Sequence, residues 1–511
     1  MTGCKDKGKV YLVGAGPGRA DLITVCGAEV LRTADCVICD RLVNPALLNF
    51  ARQDAEIINI PKGVGPNSFS QEQINKLLIE KASSGQIVVR LKGGDPCIFG
   101  RAAEEAAALA EAGIDFEIVP GVTAGVAAGA YAGIMLTDRK YNSQVIFVTG
   151  KEAEGKQKSN IGWHLLAEFS GTIIFYMAMD NLDFIAGELI KNGMDPKTPA
   201  VAIADVSLPS QRVVKASIGS ISEKCRQEKI GPPAIMVVGT AAKSEPGLNW
   251  FMKKPLFGKT IVVTRDRIGN ARFAAKIINE GGNPIEFATI KIKPLTQTNQ
   301  FLQTLAKIVE FDWVVFTSTN GVDIFFEALK DLGKDARVFG SAKVAAIGRE
   351  TANRLAEFGI KADFVPSVFT SGELGKQLRA FAKLKGKKVL LLRSQAASNE
   401  LMELLAQGED EVTNTAIYNI AAEKNDCTCL KQEIAESKID WLTFASTSSV
   451  NGFFEQIASG IINSGSVKVA SIGPATSEQL KNLRVKIDVE ASEHTIDGLL
   501  DAIKKTYTCP S

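Results

Sequence analysis

The chain has 511 residues, 45% hydrophobic and 23% charged, ordinary values for a soluble globular protein and enough for about two to four domains. A net charge of +2 excludes a global electrostatic pull toward nucleic acid, while a local basic pocket stays open. No apolar run approaches the about 18 residues of a membrane span, the opening MTGCKDKGK lacks the apolar core of a secretory signal, and nine scattered cysteines suit a reducing cytosol, so a cytoplasmic protein is expected.

In chain order, strands are expected at 9–13, 35–39, 56–60, 87–91 and 115–119, with helices between them such as Ser70 to Ser84 and Arg101 to Ala112. This alternation implies a largely parallel sheet. The first strand runs into Gly14-Ala15-Gly16-Pro17-Gly18, where backbone rather than side chain lines a surface. The spacing is G-x-G-x-G, not the G-x-G-x-x-G of a dinucleotide fold. Two further strand ends carry Gly93-Gly94-Asp95-Pro96 and Pro120-Gly121-Val122-Thr123-Ala124. All three lie beyond strand carboxyl ends, where open α/β sheets bind ligands. Ala127 to Ala132 reads as a close-packed helix. Cys36-Val37-Ile38-Cys39 reads as two small apolar residues on a strand, because it has no second pair at zinc spacing. With only His164 and His494 in the chain, neither a histidine-centred metal site nor a Ser-His-Asp triad is expected, and no metal is assigned.

Past Lys140, strands at Gln144 to Val148, Thr172 to Met177, Ala200 to Ala204 and Ala234 to Val238, with a helix from Asp180 to Asn192, suit a second α/β lobe with ligand between the lobes. Thr149 to Trp163 reads as a surface loop. GAGPG, DRLV (Asp40 to Val43), GGDPCIFGR (Gly93 to Arg101), PGVTA and GIMLTDR (Gly133 to Arg139) together resemble uroporphyrinogen-III C-methyltransferase, of the S-adenosylmethionine (SAM)-dependent tetrapyrrole methylases, from about Lys9 to about Ala242.

The expected division is a methylase at 1–245, with lobes of about 9–140 and 141–245, a linker at 246–257 with two prolines and a lysine pair, and a new unit from Gly258. The second half contains a duplication. FDWVVFTSTNGVDIFF (Phe311 to Phe326) returns as IDWLTFASTSSVNGFF (Ile439 to Phe454), and GKTIVVTR from Gly258 returns as GKKVLLLR from Gly386, both offset by 128 (440 − 312 and 386 − 258). VAAIGRETANRL returns as VASIGPATSEQL at an offset of 469 − 344 = 125. Repeats of this length are supersecondary modules, read here as two similar parallel-sheet α/β lobes. Each has strands ending in Ser/Thr and in Ile-Gly, whose hydroxyls and amides can bind carboxylates. The ordered motifs resemble uroporphyrinogen-III synthase from about Gly258 to Ser511. That resemblance implies lobe one at 258–292 plus 420–511, lobe two at 296–417, and a two-stranded hinge. The resemblances imply an α/β chain with a two-lobed tetrapyrrole methylase fold followed by a two-lobed uroporphyrinogen-III synthase fold.

The resemblances imply a bifunctional enzyme that closes hydroxymethylbilane to uroporphyrinogen III, then methylates it at C2 and C7 to precorrin-2, for sirohaem or cobalamin, releasing S-adenosylhomocysteine. They also imply a homodimer through the methylase half. SAM is expected against Pro17, Gly93, Gly94, Asp95, Ile98, Thr123, Ala124, Met177, Val206 and Ala234. Arg41, Lys62, Arg139 and Lys140 are candidates for the eight substrate carboxylates, with Arg139 alternatively paired to Asp138. Asp40 is implied as the base and Lys62 as a proton donor; a turn-capping aspartate and a solvated lysine are the alternatives. In the second half Tyr418 either protonates the departing hydroxyl or packs for shape, and Arg265, Ser318, Ser446 and Thr476 are candidate carboxylate binders, with a surface ion pair as the alternative for Arg265. A methylase of another tetrapyrrole with a non-catalytic, tetrapyrrole-binding second half is the alternative.

Overall fold

The computed structural model describes residues 8–52, 54–60, 69–140, 142–152, 160–243, 247–407, 411–463 and 465–507. The chain forms two compact units. One runs to Thr260 and takes in Ala275–Pro284 and the stretch from Lys504; the other comprises Ile261–Ala274 and Ile285–Ile503. These two short returns to the first unit have no counterpart in the sequence pattern.

The first unit opens with β1 (Lys9–Gly14), β2 (Cys36–Asp40), β3 (Glu56–Ile60), β4 (Val88–Lys92) and β5 (Asp115–Val119). They form one fully parallel sheet in the order β3-β2-β4-β1-β5. The centre is dictated by sequence: β1 and β4 are apolar, β-branched runs, and such strands fit a sheet covered on both faces. One face packs Leu12, Ile38, Leu78 and Leu109, the other Val13, Val37, Leu31 and Leu91. Ser70 caps the helix Gln71–Ser83 in a reciprocal box with Gln73. Cys36 and Cys39 are buried on β2, unbridged, and burial pushes both thiols up to about 11, which removes them from thiolate chemistry.

The second lobe contains β6 (Val145–Thr149), β7 (Thr172–Tyr176), β8 (Pro199–Ala204), β9 (Arg212–Ser217) and β10 (Ala234–Val238), in the order β6-β7-β10-β8-β9. Only β6 and β7 are parallel; the other pairs run antiparallel. Strand β9 is missed by the sequence reading because its alternating RVVKAS leaves it a half-exposed edge strand with little apolar signal. The expected close-packed helix spans Ala124–Ala132 and ends at Gly133, whose φ of +69° suits glycine.

Residues 248–257, expected to link the halves, are packed into the first unit. The Leu248 backbone lies against Gly133, Trp250 Nε1 donates to the Ala130 carbonyl at 3.0 Å, and Phe251 is 1% exposed with its ring 4.8 Å from that of Tyr131. The two aromatics and Leu256 are what hold this stretch down, so its lysines misled the composition argument.

The second unit holds two sheets. β11 (Thr260–Val263), β12 (Asn283–Glu286), β18 (Trp441–Phe444), β19 (Lys468–Ser471) and β20 (Val489–Glu490) are ordered β12-β11-β18-β19-β20. β13 (Ile290–Pro294), β14 (Trp313–Phe316), β15 (Lys343–Ala346), β16 (Lys388–Ser394) and β17 (Glu411–Ala422) are ordered β13-β17-β16-β14-β15. The duplication is visible in the topology: β11, β18 and β19 sit in one sheet as β16, β14 and β15 sit in the other. Long strand β17 and β13 pair antiparallel, with Tyr418 opposite Pro294, where the resemblance implies a two-stranded hinge.

Phe251→Ala should destabilise the first unit by about 3–5 kcal/mol, as deletion of a buried aromatic does. Chemical denaturation followed by circular dichroism checks this, and a change below about 1 kcal/mol would contradict the packed assignment of this stretch.

Candidate functional site

In the first unit the site is built from three loops at the carboxyl edge of the parallel sheet. Gly16 and Gly94 exchange both backbone hydrogen bonds, Gly16 N to Gly94 O at 3.2 Å and Gly94 N to Gly16 O at 2.8 Å. A Cβ on Gly14 would lie 2.6 Å from Gly121 Cα, and one on Gly121 would lie 2.3 Å from the Gly94 carbonyl oxygen. No other residue allows this approach. Asp95 locks the arrangement: its Oδ2 accepts from Gly121 N at 2.9 Å and its Oδ1 from Cys97 N at 2.8 Å.

The other side of the loops is open. A Cβ on Gly93 would meet only Leu42 at 3.7 Å, and one on Gly94 only the backbone of Thr123 and Ala124 at 3.8 Å. Leu42, beside that space, exposes 57% of its surface; Phe99, whose ring meets that of Tyr176, and Met177, which follows Tyr176, expose 41% and 49%. Phe99 and Met177 do so at φ of +54° and +53°, a strained conformation for residues with side chains. Exposed apolar groups about bare backbone mark a ligand site.

The second lobe is tied to this rim by Tyr176, next to Met177. The Tyr176 hydroxyl is 2.7 Å from Thr123 Oγ1 and accepts from Gly125 N at 2.8 Å, and burial raises the phenol above its ordinary value. Val206 buries its side chain in the core, while its carbonyl oxygen would be 2.7 Å from a Cβ on Gly18; next to it Ser207 Oγ accepts from Arg19 N at 3.1 Å. Pro17 and Ile98 are half-buried beside these loops, and Ala234 pairs with Ala204 at the start of β10.

Beneath the rim lies a charged network inside an apolar sheet. Arg90, 1% exposed, donates from Nη2 to Asp40 Oδ1 at 2.5 Å and from Nε to Glu105 Oε1 at 3.2 Å. Lys92, 2% exposed, reaches both Glu105 oxygens at 2.9 Å. Burial, then the Arg90 charge, lowers the Lys92 amine below its ordinary value, against the pull of Glu105. Asp40 is held by the Arg90 guanidinium. Lys62 lies outside the described residues. Arg41, Arg139 and Lys140 are exposed, and Asp138 accepts from the Lys140 amide with no ion pair to Arg139 among the described residues.

In the second unit Tyr418, 5% exposed, has its hydroxyl 2.9 Å from Ser318 Oγ. Burial raises this phenol, the Ser318 hydrogen bond opposes the rise, and Asp266 adds to it. Ser318 and Ser446, equivalent across the duplication, each cap a helix: Ser318 Oγ accepts from Gly321 N at 3.0 Å and Ser446 Oγ from Ser449 N at 3.1 Å. Their oxygens are thus already engaged. Thr476 is buried in the first turn of the helix Pro474–Asn482. Arg265 is half-buried after β11, its backbone amide held by Asn270 Oδ1 at 2.7 Å, and burial lowers its guanidinium. Tyr176, Ser207 and the Arg90–Glu105 pair are absent from the sequence reading. The last left a legible trace, two basic residues in the otherwise apolar run Val88–Lys92.

Together the two units define a glycine-rimmed, two-lobed methylase joined to a duplicated α/β module. Residues 9–222 match the family model for tetrapyrrole (corrin/porphyrin) methylases, and 271–501 the model for uroporphyrinogen-III synthase HemD. A porphyrin biosynthesis protein HemD of Ruminiclostridium josui is 36% identical over 498 residues, 98% of each chain. A uroporphyrinogen-III C-methyltransferase of Priestia megaterium is 45% identical over 232 residues, 45% of this chain and 97% of that one. A protein of Methanosarcina barkeri described as an S-adenosyl-L-methionine-dependent uroporphyrinogen III methyltransferase is 42% identical over 232 residues, 45% of this chain and 91% of that one. The chain belongs to this porphyrin-biosynthesis family, a tetrapyrrole methylase followed by a uroporphyrinogen-III synthase.

Replacing Arg90 with methionine removes the guanidinium from between two buried carboxylates. Destabilisation of the first unit by about 3–5 kcal/mol is expected, read from the denaturation midpoint of the full chain; a loss under about 1 kcal/mol would show that water reaches Asp40 and Glu105.

Proposed function

We propose that the chain is a bifunctional enzyme of tetrapyrrole biosynthesis. Its second half cyclises hydroxymethylbilane to uroporphyrinogen III with loss of water and inversion of ring D. Its first half methylates uroporphyrinogen III at C2 and C7 to precorrin-2. The observation that carries the reading is the bare-backbone rim of Gly93 and Gly94, open on the side of exposed Leu42 and of the Thr123 and Ala124 backbone.

The residues fit S-adenosylmethionine. Pro17, Gly93, Gly94, Ile98, Thr123, Ala124, Met177, the Val206 backbone and Ala234 would hold it, with Asp95 fixing the loops and placing negative charge nearby. When bound, it supplies a methyl group already activated on a sulfonium. The chain's own task is then alignment and proton removal, and alignment alone can contribute about 7–11 kcal/mol. Asp40, oriented by Arg90, accepts the proton that the methylated pyrrole system loses. Lys62 donates a proton, and Arg41, Arg139 and Lys140 receive substrate carboxylates. In the second half Tyr418, neutral because it is buried, protonates the departing hydroxyl while Ser318 orients its O–H. Arg265 and Thr476 bind carboxylates, together with the strand-end segments at Ser318 and Ser446.

No helix of the described residues is long and apolar enough to cross a membrane. Cytoplasmic residence and a homodimer through the methylase half belong to the same proposal.

Incubating the full chain with hydroxymethylbilane and S-adenosylmethionine should give isomer III carrying two added methyl groups and two S-adenosylhomocysteines per tetrapyrrole, read by mass spectrometry. Asp40→Asn should slow methylation by about 10²–10⁴-fold and leave closure to isomer III intact. Isomer I alone would overturn the second activity, and an unmethylated product would overturn the first.

A further inference from the structure

Arg393 stands near the carboxyl end of β16 and is 2% exposed. Its Nε donates to Asn414 Oδ1 at 2.7 Å and its Nη1 to the Ser398 carbonyl at 2.6 Å. Both partners are neutral. Its Nη2 is buried with no hydrogen-bond partner, and no carboxylate pairs with it among the described residues. A buried guanidinium without a counter-ion is costly. Nothing in the packing needs a cation there: along β16 the alternation puts Arg393 on the face of Val389 and Leu391, which pack against Leu374, Leu401 and Leu405. An apolar side chain would suit that face.

The duplication supplies an independent argument. Arg393 is the counterpart of Arg265, since 393 − 265 = 128, the offset that carries GKTIVVTR onto GKKVLLLR. The two strands hold equivalent places in their sheets, β11 beside β18 and β16 beside β14. Arg265 likewise has no ion pair among the described residues, and Asn270, which holds its backbone amide, has a buried Nδ2 without a partner. Each lobe therefore presents, at the carboxyl edge of its sheet, an arginine with no ion-paired carboxylate among the described residues; Asp266 and Glu350 favour the charge of Arg265 from a distance, while Arg393 has burial alone acting on it.

We propose that Arg393 is a carboxylate-binding subsite of the second half, the lobe-two counterpart of Arg265, and that it receives one acetate or propionate group of the linear tetrapyrrole substrate. This rests on the synthase reading above. The cover over the guanidinium is thin. Gln395, Ala396, Ser398 and Asn399 are exposed, and the Ser398 carbonyl is the link between this short loop and Arg393. A substrate carboxylate that displaces that carbonyl makes two charge-assisted hydrogen bonds with the guanidinium fork.

The test is Arg393→Met in the full chain, with three readings. The KM for hydroxymethylbilane should rise by about tenfold or more, the loss of one charge-assisted contact, while kcat for isomer III changes by less than about threefold. The Tm of the second unit should stay the same or rise, because an unpaired buried cation has been replaced by an apolar chain of similar length. Methylation of supplied uroporphyrinogen III should be unchanged. Arg393→Gln, which keeps polar contacts to the loop, should show the same rise in KM. An unchanged KM in both variants overturns the proposal. So does a fall in Tm that accompanies the fall in activity, or loss of folded protein in both variants, since either assigns Arg393 to the scaffold. If wild-type protein itself releases isomer I, the synthase reading fails instead, and the two failures are thereby told apart.

Discussion

The approach of Gly14, Gly94 and Gly121 is the constraint on which the first unit depends. Three strand ends come so close that a methyl group on Gly121 would sit 2.3 Å from a carbonyl oxygen. Gly16 and Gly94 bridge two of these ends through their backbones, and Asp95 pins the third to them. The consequence is a rim made of backbone on one side and space on the other. Such a surface suits a reaction whose donor is already activated, because the protein then has to hold and align rather than to polarise. The strain at Phe99 and Met177, the reach of Tyr176 to Thr123 and Gly125, and the packing of the Val206–Ser207 loop against Gly18 all serve that rim.

The charged network of Arg90, Lys92, Asp40 and Glu105 solves a different problem. A carboxylate on a strand end has two free torsions, and in the role proposed for Asp40 its direction matters. Arg90 removes that freedom from inside the sheet, where burial shields the pair from water and salt. In the second half, orientation is achieved by duplication instead. Two sheets with the same order of equivalent strands present equivalent strand ends, and strands β13 and β17 carry Tyr418 at their antiparallel pairing. Ser318 and Ser446 show how a local need serves a wider one: each caps a helix, and the cap fixes a helix N-terminus at the strand end, where its amides favour anions.

Much of this was legible in the sequence, and the reasons are specific. Val10–Val13 and Val88–Leu91 announce buried strands because apolar, β-branched runs have few other uses, and glycines at alternate positions after a strand announce bare backbone. The duplication gives the second unit twice over, so that β11 and β16 or β14 and β18 predict each other. What escaped notice depends on contacts between distant positions. Arg90 and Lys92 look like errors in a strand until Asp40 and Glu105 are seen beside them. Phe251 is two residues before a pair of lysines, and only its contact with Tyr131 and the approach of the Leu248 backbone to Gly133 explain why this stretch is core rather than connection. Edge strand β9 carries no pattern strong enough to separate it from a loop.

The central claim is that closure of the three glycine loops creates the donor site. Isothermal calorimetry of S-adenosylhomocysteine binding to the full chain carrying Gly121→Ala tests it most directly. The account predicts binding weakened beyond detection, with closure of hydroxymethylbilane to isomer III unimpaired in the same preparation. Wild-type affinity in that variant would contradict it.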